Sequence, residues 1–157
     1  MTRASATSSK GDEMVSETAS VRIERPAEEV WDYFTDVAND PEWNPSAIKA
    51  RKTSDGPLGV GSTFHVVRKM SGPMKLEYTE YSRPLRWGIR GIGRGVSFTY
   101  SADLSPSPGA TELTSRMNLE PKGALKLLTP ILRFVTAKQL SQVHAALKRK
   151  LESTEGL

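Results

Sequence analysis

Residues 122–152 read KGALKLLTPILRFVTAKQLSQVHAALKRKLE. Leu125, Leu128, Leu132, Thr136, Leu140, Val143, Leu147 and Leu151 recur at steps of three and four, which lines them up on one helical face. At ~1.5 Å per residue the helix would be roughly 45 Å long, more than a small domain needs to close a core. Its halves differ. Between Ala124 and Ala137 apolar residues also fall off the stripe (Ala124, Leu127, Ile131, Phe134, Val135), so this half is expected to be wrapped by protein or to face a cavity. From Lys138 to Glu152 the outer face carries Gln139, Gln142, Lys148, Arg149, Lys150 and Glu152, and the three cations suit the negative end of the helix dipole. Pro130 removes one backbone donor and crowds the preceding turn, so a kink is expected there. The architecture implied is a long helix covering a sheet.

A chain of 157 residues suggests one domain with a sizeable core. Hydrophobic content of 37% and a mean hydropathy of −0.44 fit a soluble protein, and no apolar run reaches membrane-span length. The first seventeen residues lack the apolar centre of a secretory signal, and there is no cysteine. Disulfides, thiolate metal sites and cysteine nucleophiles are thereby excluded, and a cytoplasmic location is expected. The charge of +4 is mild and its basic residues are scattered, apart from Lys148 to Lys150, so no nucleic-acid partner is expected.

Residues 1–16, rich in Ser, Thr and Ala, read as a flexible tail, with one domain over 17–157. From Glu17 the chain alternates, with Ala19, Val21 and Ile23 on one face. Pro26 then suits the first turn of a helix whose apolar face is Ala27, Val30, Trp31, Phe34 and Val37. Asp40-Pro41 opens a second short helix, with Asp40 as its cap, ending before Asn44-Pro45. Six strands follow: a weak basic one over 47–53, then 62–70, 74–81, 85–90, one carrying Val96 to Leu104, and one carrying Leu113 to Leu119. Gly91-Ile92-Gly93-Arg94-Gly95 reads as a glycine-rich hairpin tip. The predicted order is β, αα, six β, α.

This order resembles the polyketide cyclase/dehydrase and START-related superfamily, also called SRPBCC. The resemblance is carried by Arg25-Pro26-Ala27-Glu28-Glu29-Val30-Trp31, Pro41-Glu42-Trp43-Asn44-Pro45, Gly56-Pro57-Leu58-Gly59-Val60-Gly61-Ser62 and residues 77–87, EYTEYSRPLRW. It covers roughly Glu17 to Glu152. It implies an α+β helix-grip fold, in which a curved antiparallel sheet of about seven strands and two short helices grip a long C-terminal helix around a cavity. Members include carriers, cyclases, dehydratases, co-chaperone-like modules and many proteins without assigned activity. The matched segments shape the fold, so no catalytic role transfers with them.

Phe64, Val66, Leu76, Tyr78, Trp87, Ile89, Phe98, Tyr100 and Met117, with Leu128, Leu132, Phe134 and Thr136 from the helix, either pack as core or line a ligand cavity. Arg68 shares parity with Phe64 and Val66, and if it points inward it needs a carboxylate partner or an anionic ligand. Tyr78 and Tyr100 each bring a hydroxyl that must be satisfied when buried, and Ser115 adds another. His65 has outward parity and His144 reads as a boundary residue. Arg68, Glu77 and Tyr78 are weak catalytic candidates; Glu77, Glu80 and Tyr81 suit acid–base chemistry only if a carboxylate is desolvated. The two histidines lack metal-site spacing, and no glycine fingerprint or nucleophile elbow occurs, so no metal and no cofactor are expected.

Three readings follow. The first is a binder of a hydrophobic or amphipathic ligand such as a lipid, polyketide or sterol-like molecule, with access between residues 91–95, Trp43 to Pro45 and the Pro130 region. The second is a cyclase or dehydratase using an ionisable group in the same cavity. The third is a protein-interaction module, favoured if Trp43 is exposed in an apolar patch. A monomer or weak homodimer without stable membrane insertion is expected.

Overall fold

In the computed structural model, residues 14–153 are described. Seven antiparallel strands form one sheet, β1 (Val15–Ile23), β2 (Ala47–Lys52), β3 (Thr63–Arg68), β4 (Gly72–Ser82), β5 (Arg86–Gly93), β6 (Val96–Ser107) and β7 (Ala110–Pro121). Their order is β1-β7-β6-β5-β4-β3-β2, so only the β1–β7 neighbours are joined out of sequence. Between β1 and β2 lie α1 (Ala27–Phe34), a 3-10 turn over Val37–Asn39 and α2 (Asp40–Trp43), and α3 (Thr129–Glu152) closes the chain. This is the helix-grip arrangement, a curved open sheet holding a long terminal helix.

Alternation explains the sheet. On β3 to β7 the inward residues fall opposite one another: Phe64 faces Leu76, Tyr78 faces Ile89, Ile89 faces Tyr100, and Tyr100 faces Met117. A register shift between Tyr78 and Glu80 adds local twist, which helps the sheet curl. The outer face carries ion pairs, Arg90–Glu77 at 2.8 Å, Arg86–Glu80 at 3.1 Å and Arg86–Asp103 at 2.9 Å. They are solvated and contribute little to stability.

Pro26 stands at the cap of α1, its carbonyl accepting from the amides of Glu29 and Val30, and Glu28 and Glu29 occupy the positive end. Val30, Trp31 and Phe34 bury against the sheet. The other end of the grip is tied by α3. Lys148 Nζ donates to the Arg22 carbonyl at 2.6 Å, while Glu152 Oε2 accepts from the Glu24 amide at 2.7 Å. Leu140, Leu147 and Leu151 are buried on the same helix face.

Four expectations are corrected. Strand β1 begins at Val15, which is fully buried, two residues ahead of Glu17; the rest of the expected tail, residues 1–13, lies outside the described residues. The terminal helix starts at Thr129, after a 3-10 turn over Gly123–Leu128, and Pro130 sits in its first turn. Proline is tolerated there because the missing donor would have had no helical partner, so no kink results. Gly91 and Gly93 lie inside β5, and the turn is made at Arg94 and Gly95, the latter with φ +78°. Asp40 is the first residue of α2 and caps nothing; the capping carboxylate is Asp36, which accepts from the Ala38 amide and closes the 3-10 turn.

Candidate functional site

The inner face of the sheet is dense with rings. Phe64 stacks on Tyr78 with centroids 5.2 Å apart, Tyr78 meets Trp87 edge-on at 5.5 Å, and Trp87 meets Tyr100 at 5.9 Å. Phe34 of α1 closes over this row, 5.1 Å from Trp87 and 6.0 Å from Trp43. Beneath α1 the space is therefore filled by aromatic side chains. Val66, Leu76, Ile89 and Phe98 are buried in the same cluster, with Met117 partly buried against it.

Tyr78 is committed to the backbone. Its hydroxyl donates to the Thr35 carbonyl and accepts from the Val37 amide at 3.2 Å, joining β4 to the bend between α1 and α2. Burial pushes its ionisation far above the ordinary tyrosine range. Tyr78→Phe leaves both backbone groups without their partner, an expected loss of about 2 kcal/mol, readable as a lower urea midpoint with an unchanged m-value.

Two polar features cross the apolar interior. At the end of β3, Arg68 turns inward and finds its carboxylate in Asp40, Nη2 to Oδ2 at 3.3 Å, while its Nη1 lies 3.5 Å from Ser46 Oγ. Asp40 is buried, and that burial raises its carboxyl to about 7, Arg68 opposing the rise and Asp36 adding to it. Its charge is felt at Tyr33, Tyr78 and Tyr100, all held with raised ionisation chiefly by burial. The second feature is a relay. Tyr100 Oη lies 2.5 Å from Ser115 Oγ, and Ser115 Oγ lies 2.7 Å from His144 Nε2.

His144, expected at a boundary, is only 3% exposed. Burial lowers its pKa to about 4, so the ring is neutral at pH 7. Its Nδ1 is buried without a hydrogen-bond partner, as are the indole nitrogens of Trp31, Trp43 and Trp87. Each such group costs about 1–3 kcal/mol unless a ligand or solvent satisfies it.

A concavity of about 390 Å³ opens where α2 and the end of β3 approach α3, lined by Pro45, Ser46, Met70, Phe134, Val135 and Val143 among others. It adjoins the first of these features, because Ser46 in its lining lies beside Arg68. A second, shallower concavity of about 340 Å³ lies by His65, Lys75, Ile92 and Arg94 on the outer face, where His65 is exposed as expected. Of the helix residues, Thr136 is buried and Leu132 half-buried, whereas Leu128 is at the surface. Glu77 is on the solvated outer face with Arg90. Trp43 is buried, so the exposed apolar surface lies elsewhere. Among the described residues no group of three or more His, Cys, Asp or Glu is placed to hold a metal ion.

Asp40 was legible only indirectly, because an inward Arg68 demands a carboxylate. His144 had a plainer signal, lying four residues after Leu140 and seven before Leu151 on the buried face.

Residues 14–152 match the family described as "Polyketide cyclase / dehydrase and lipid transport". The chain belongs to that family. Members of the wider fold superpose on this polyketide cyclase/dehydrase family protein along most of its length. A START superfamily protein from Mycobacterium smegmatis is 18% identical with a TM-score of 0.71, covering 90% of this chain and 99% of that one. Norcoclaurine synthase from Thalictrum flavum is 14% identical with a TM-score of 0.69, covering 90% and 96%. The di-domain ARO/CYC BexL of the BE-7585A biosynthetic pathway is 19% identical with a TM-score of 0.68, covering 87% of this chain and 48% of its own. At these identities the likeness is one of fold. No curated protein matches the sequence at a significant level.

Proposed function

We propose that this protein binds a small amphipathic molecule, a lipid, polyketide or sterol-like compound, in the seam between α3 and the sheet. The observation that carries the reading is the set of buried ring nitrogens without partners, His144 Nδ1 and the three indoles, within the aromatic and apolar cluster. A ligand with hydroxyl or carbonyl groups satisfies such atoms, and its apolar body suits the surrounding rings. The concavity beside Pro45, Met70 and Val143 gives it a way in, with Arg68 and Asp40 at its polar edge. Small-ligand sites typically occupy about 300–1,000 Å³, and this opening falls at the lower end. A monomer or weak homodimer in a reducing cytoplasm, independent of nucleic acid, belongs to the same reading; the lack of cysteine and the mild net charge of +4 support it.

Native mass spectrometry of the intact chain, followed by solvent extraction, is expected to reveal a copurifying apolar compound, and a fluorescent fatty acid is expected to bind in its place. Val143→Trp fills the opening and is expected to weaken the fluorescent probe at least tenfold. A protein that carries nothing, binds no probe and responds to none of these changes contradicts the proposal.

One observation favours catalysis in the same place. Asp40 is a buried carboxyl raised to about 7, the range in which an acid–base group works near neutrality. On this second reading Asp40 moves a proton on a bound polyketide-like chain while Arg68 holds the developing charge. Asp40→Asn separates the readings: probe binding kept and turnover lost supports the enzyme, whereas loss of binding alone supports the carrier.

A further inference from the structure

The 3-10 turn before α3 and the first turns of α3 carry an apolar surface that the fold leaves uncovered. Leu127 is 83% exposed, Phe134 68% and Ile131 58%. At 100° per residue Ile131 and Phe134 lie on the side of α3 opposite Leu140, Leu147 and Leu151, which are buried against the sheet. Met70, 75% exposed on the turn between β3 and β4, lines the same concavity as Phe134 and Lys138 and extends the patch beyond the helix. Two elements distant in sequence thus present large side chains to solvent at one end of the molecule. Scattered apolar residues are ordinary on a surface, but a ridge of four such side chains marks a contact site.

The surrounding charge selects the partner. From Pro121 to Leu151 the sequence has seven Lys or Arg residues and no Asp or Glu. Lys138 falls on the same side of α3 as Ile131 and Phe134, Lys122, Lys126 and Arg133 are exposed on the same stretch of chain, and Lys69 adjoins Met70. An apolar strip flanked by cations is what an anionic bilayer surface attracts: the strip enters the boundary between headgroups and acyl chains, and the cations meet lipid phosphates and carboxylates. Two copies joined through this ridge would instead bring their cations together, an unfavourable arrangement for a symmetric contact. No helix among the described residues is long and apolar enough to cross a membrane, so the attachment is peripheral.

We infer that the protein docks reversibly on anionic lipid bilayers through Leu127, Ile131, Phe134 and Met70, with Lys69 and Lys138, which share the concavity of Met70 and Phe134, supplying the electrostatic attraction. This stands whether or not the interior holds a ligand, although it sets the opening beside Met70 and Phe134 against the lipid surface. The experiment is flotation of the full chain with vesicles of phosphatidylcholine alone or mixed with phosphatidylserine. Binding is expected to the mixed vesicles only, falling as salt rises. Ile131→Ser with Phe134→Ser is expected to weaken it more than about tenfold, and Lys138→Gln roughly fivefold. These side chains are exposed, so the thermal midpoint stays unchanged and loss of folding is not confused with loss of docking. The inference is overturned if the mixed vesicles are not bound at low salt, or if the double serine variant binds them as well as the parent. It is equally overturned if the ridge variants abolish a concentration-dependent dimer while vesicles are ignored, which assigns the patch to a second copy.

Discussion

His144→Gln is expected to make the stability of this protein fall steeply as pH rises from 4 to 7, whereas the parent changes little between 4 and 6.5. Two buried groups set this up, with opposite signs. The imidazole of His144 has a pKa of about 4 when folded against an ordinary value of 6.5. Its contribution is fully present above 6.5 and is lost as pH falls toward 4, because the unfolded chain takes the proton first. Asp40 behaves in reverse. Its carboxyl ionises near 7 when folded against an ordinary 3.8, so the folded state binds the proton more tightly. That contribution is fully present below 3.8 and is lost as pH rises through 7. Each slope is about 1.4 kcal/mol per pH unit, so the two nearly cancel where they overlap. Removing the imidazole leaves the Asp40 slope, a fall of about 4 kcal/mol over its range. Asp40→Asn leaves the His144 slope, a rise of about 3 kcal/mol between 4 and 6.5. Urea denaturation at steps of pH reads both, and the exposed ion pairs supply a background common to all three proteins. Profiles of identical shape for parent and variants would mean that neither group is perturbed.

The same pair of groups bears on what the interior does. A histidine kept neutral by burial and a carboxylic acid that ionises near neutrality belong to the two polar features of the interior, Tyr100–Ser115–His144 and Arg68–Asp40. Their stability costs are opposed and both are substantial, so a fold without a use for them would gain by replacing both with apolar residues. That asymmetry is why the proposed ligand is amphipathic. A purely hydrocarbon guest would leave the indoles and His144 Nδ1 no better satisfied than before.

Much of the architecture was legible because alternation and helical spacing are local signals. The inward sets on β3 to β7 follow parity, and Arg68 shares that parity, so an inward Arg68 required a carboxylate partner or an anionic ligand; Asp40 is that partner. The long helix was legible in register but not at its start. Leu125 and Leu128 continue the leucine spacing into a 3-10 turn, and a proline in the first helical turn reads in sequence much like one that breaks a helix. Its off-stripe apolar residues were expected to be covered. Leu127, Ile131 and Phe134 are exposed and Val135 is half-buried, and nothing in a one-dimensional pattern distinguishes a surface wrapped by the same chain from one offered to another partner. His144 was underestimated because polarity suggested a boundary while its helix position fixed it on the buried face.

The glycines of β5 misled for a reason that yields the second large prediction. Gly91-Ile92-Gly93-Arg94-Gly95 looks like a loop, yet Gly91 pairs with both Leu76 on β4 and Phe98 on β6. The absent side chain makes room for those two to meet across the strand. A Cβ at Gly91 would stand 2.2 Å from Phe98 Cε1 and 2.9 Å from Leu76 Cδ2, well inside contact distance. Its backbone φ is not in the left-handed region, so crowding rather than strain is the cause. Gly91→Ala is therefore expected to cost about 3 kcal/mol, the upper end for overpacking, because Phe98 is buried and has a ring on a stiff two-torsion stem. If crowding against that ring is the origin, adding Phe98→Leu frees the space, and the double variant is expected to be more stable than Gly91→Ala alone. The coupling energy from the cycle should then be at least about 1 kcal/mol in the compensating direction. Simple additivity would instead show that the β5 backbone moves aside, and that Gly91 is tolerated rather than required between its two neighbours.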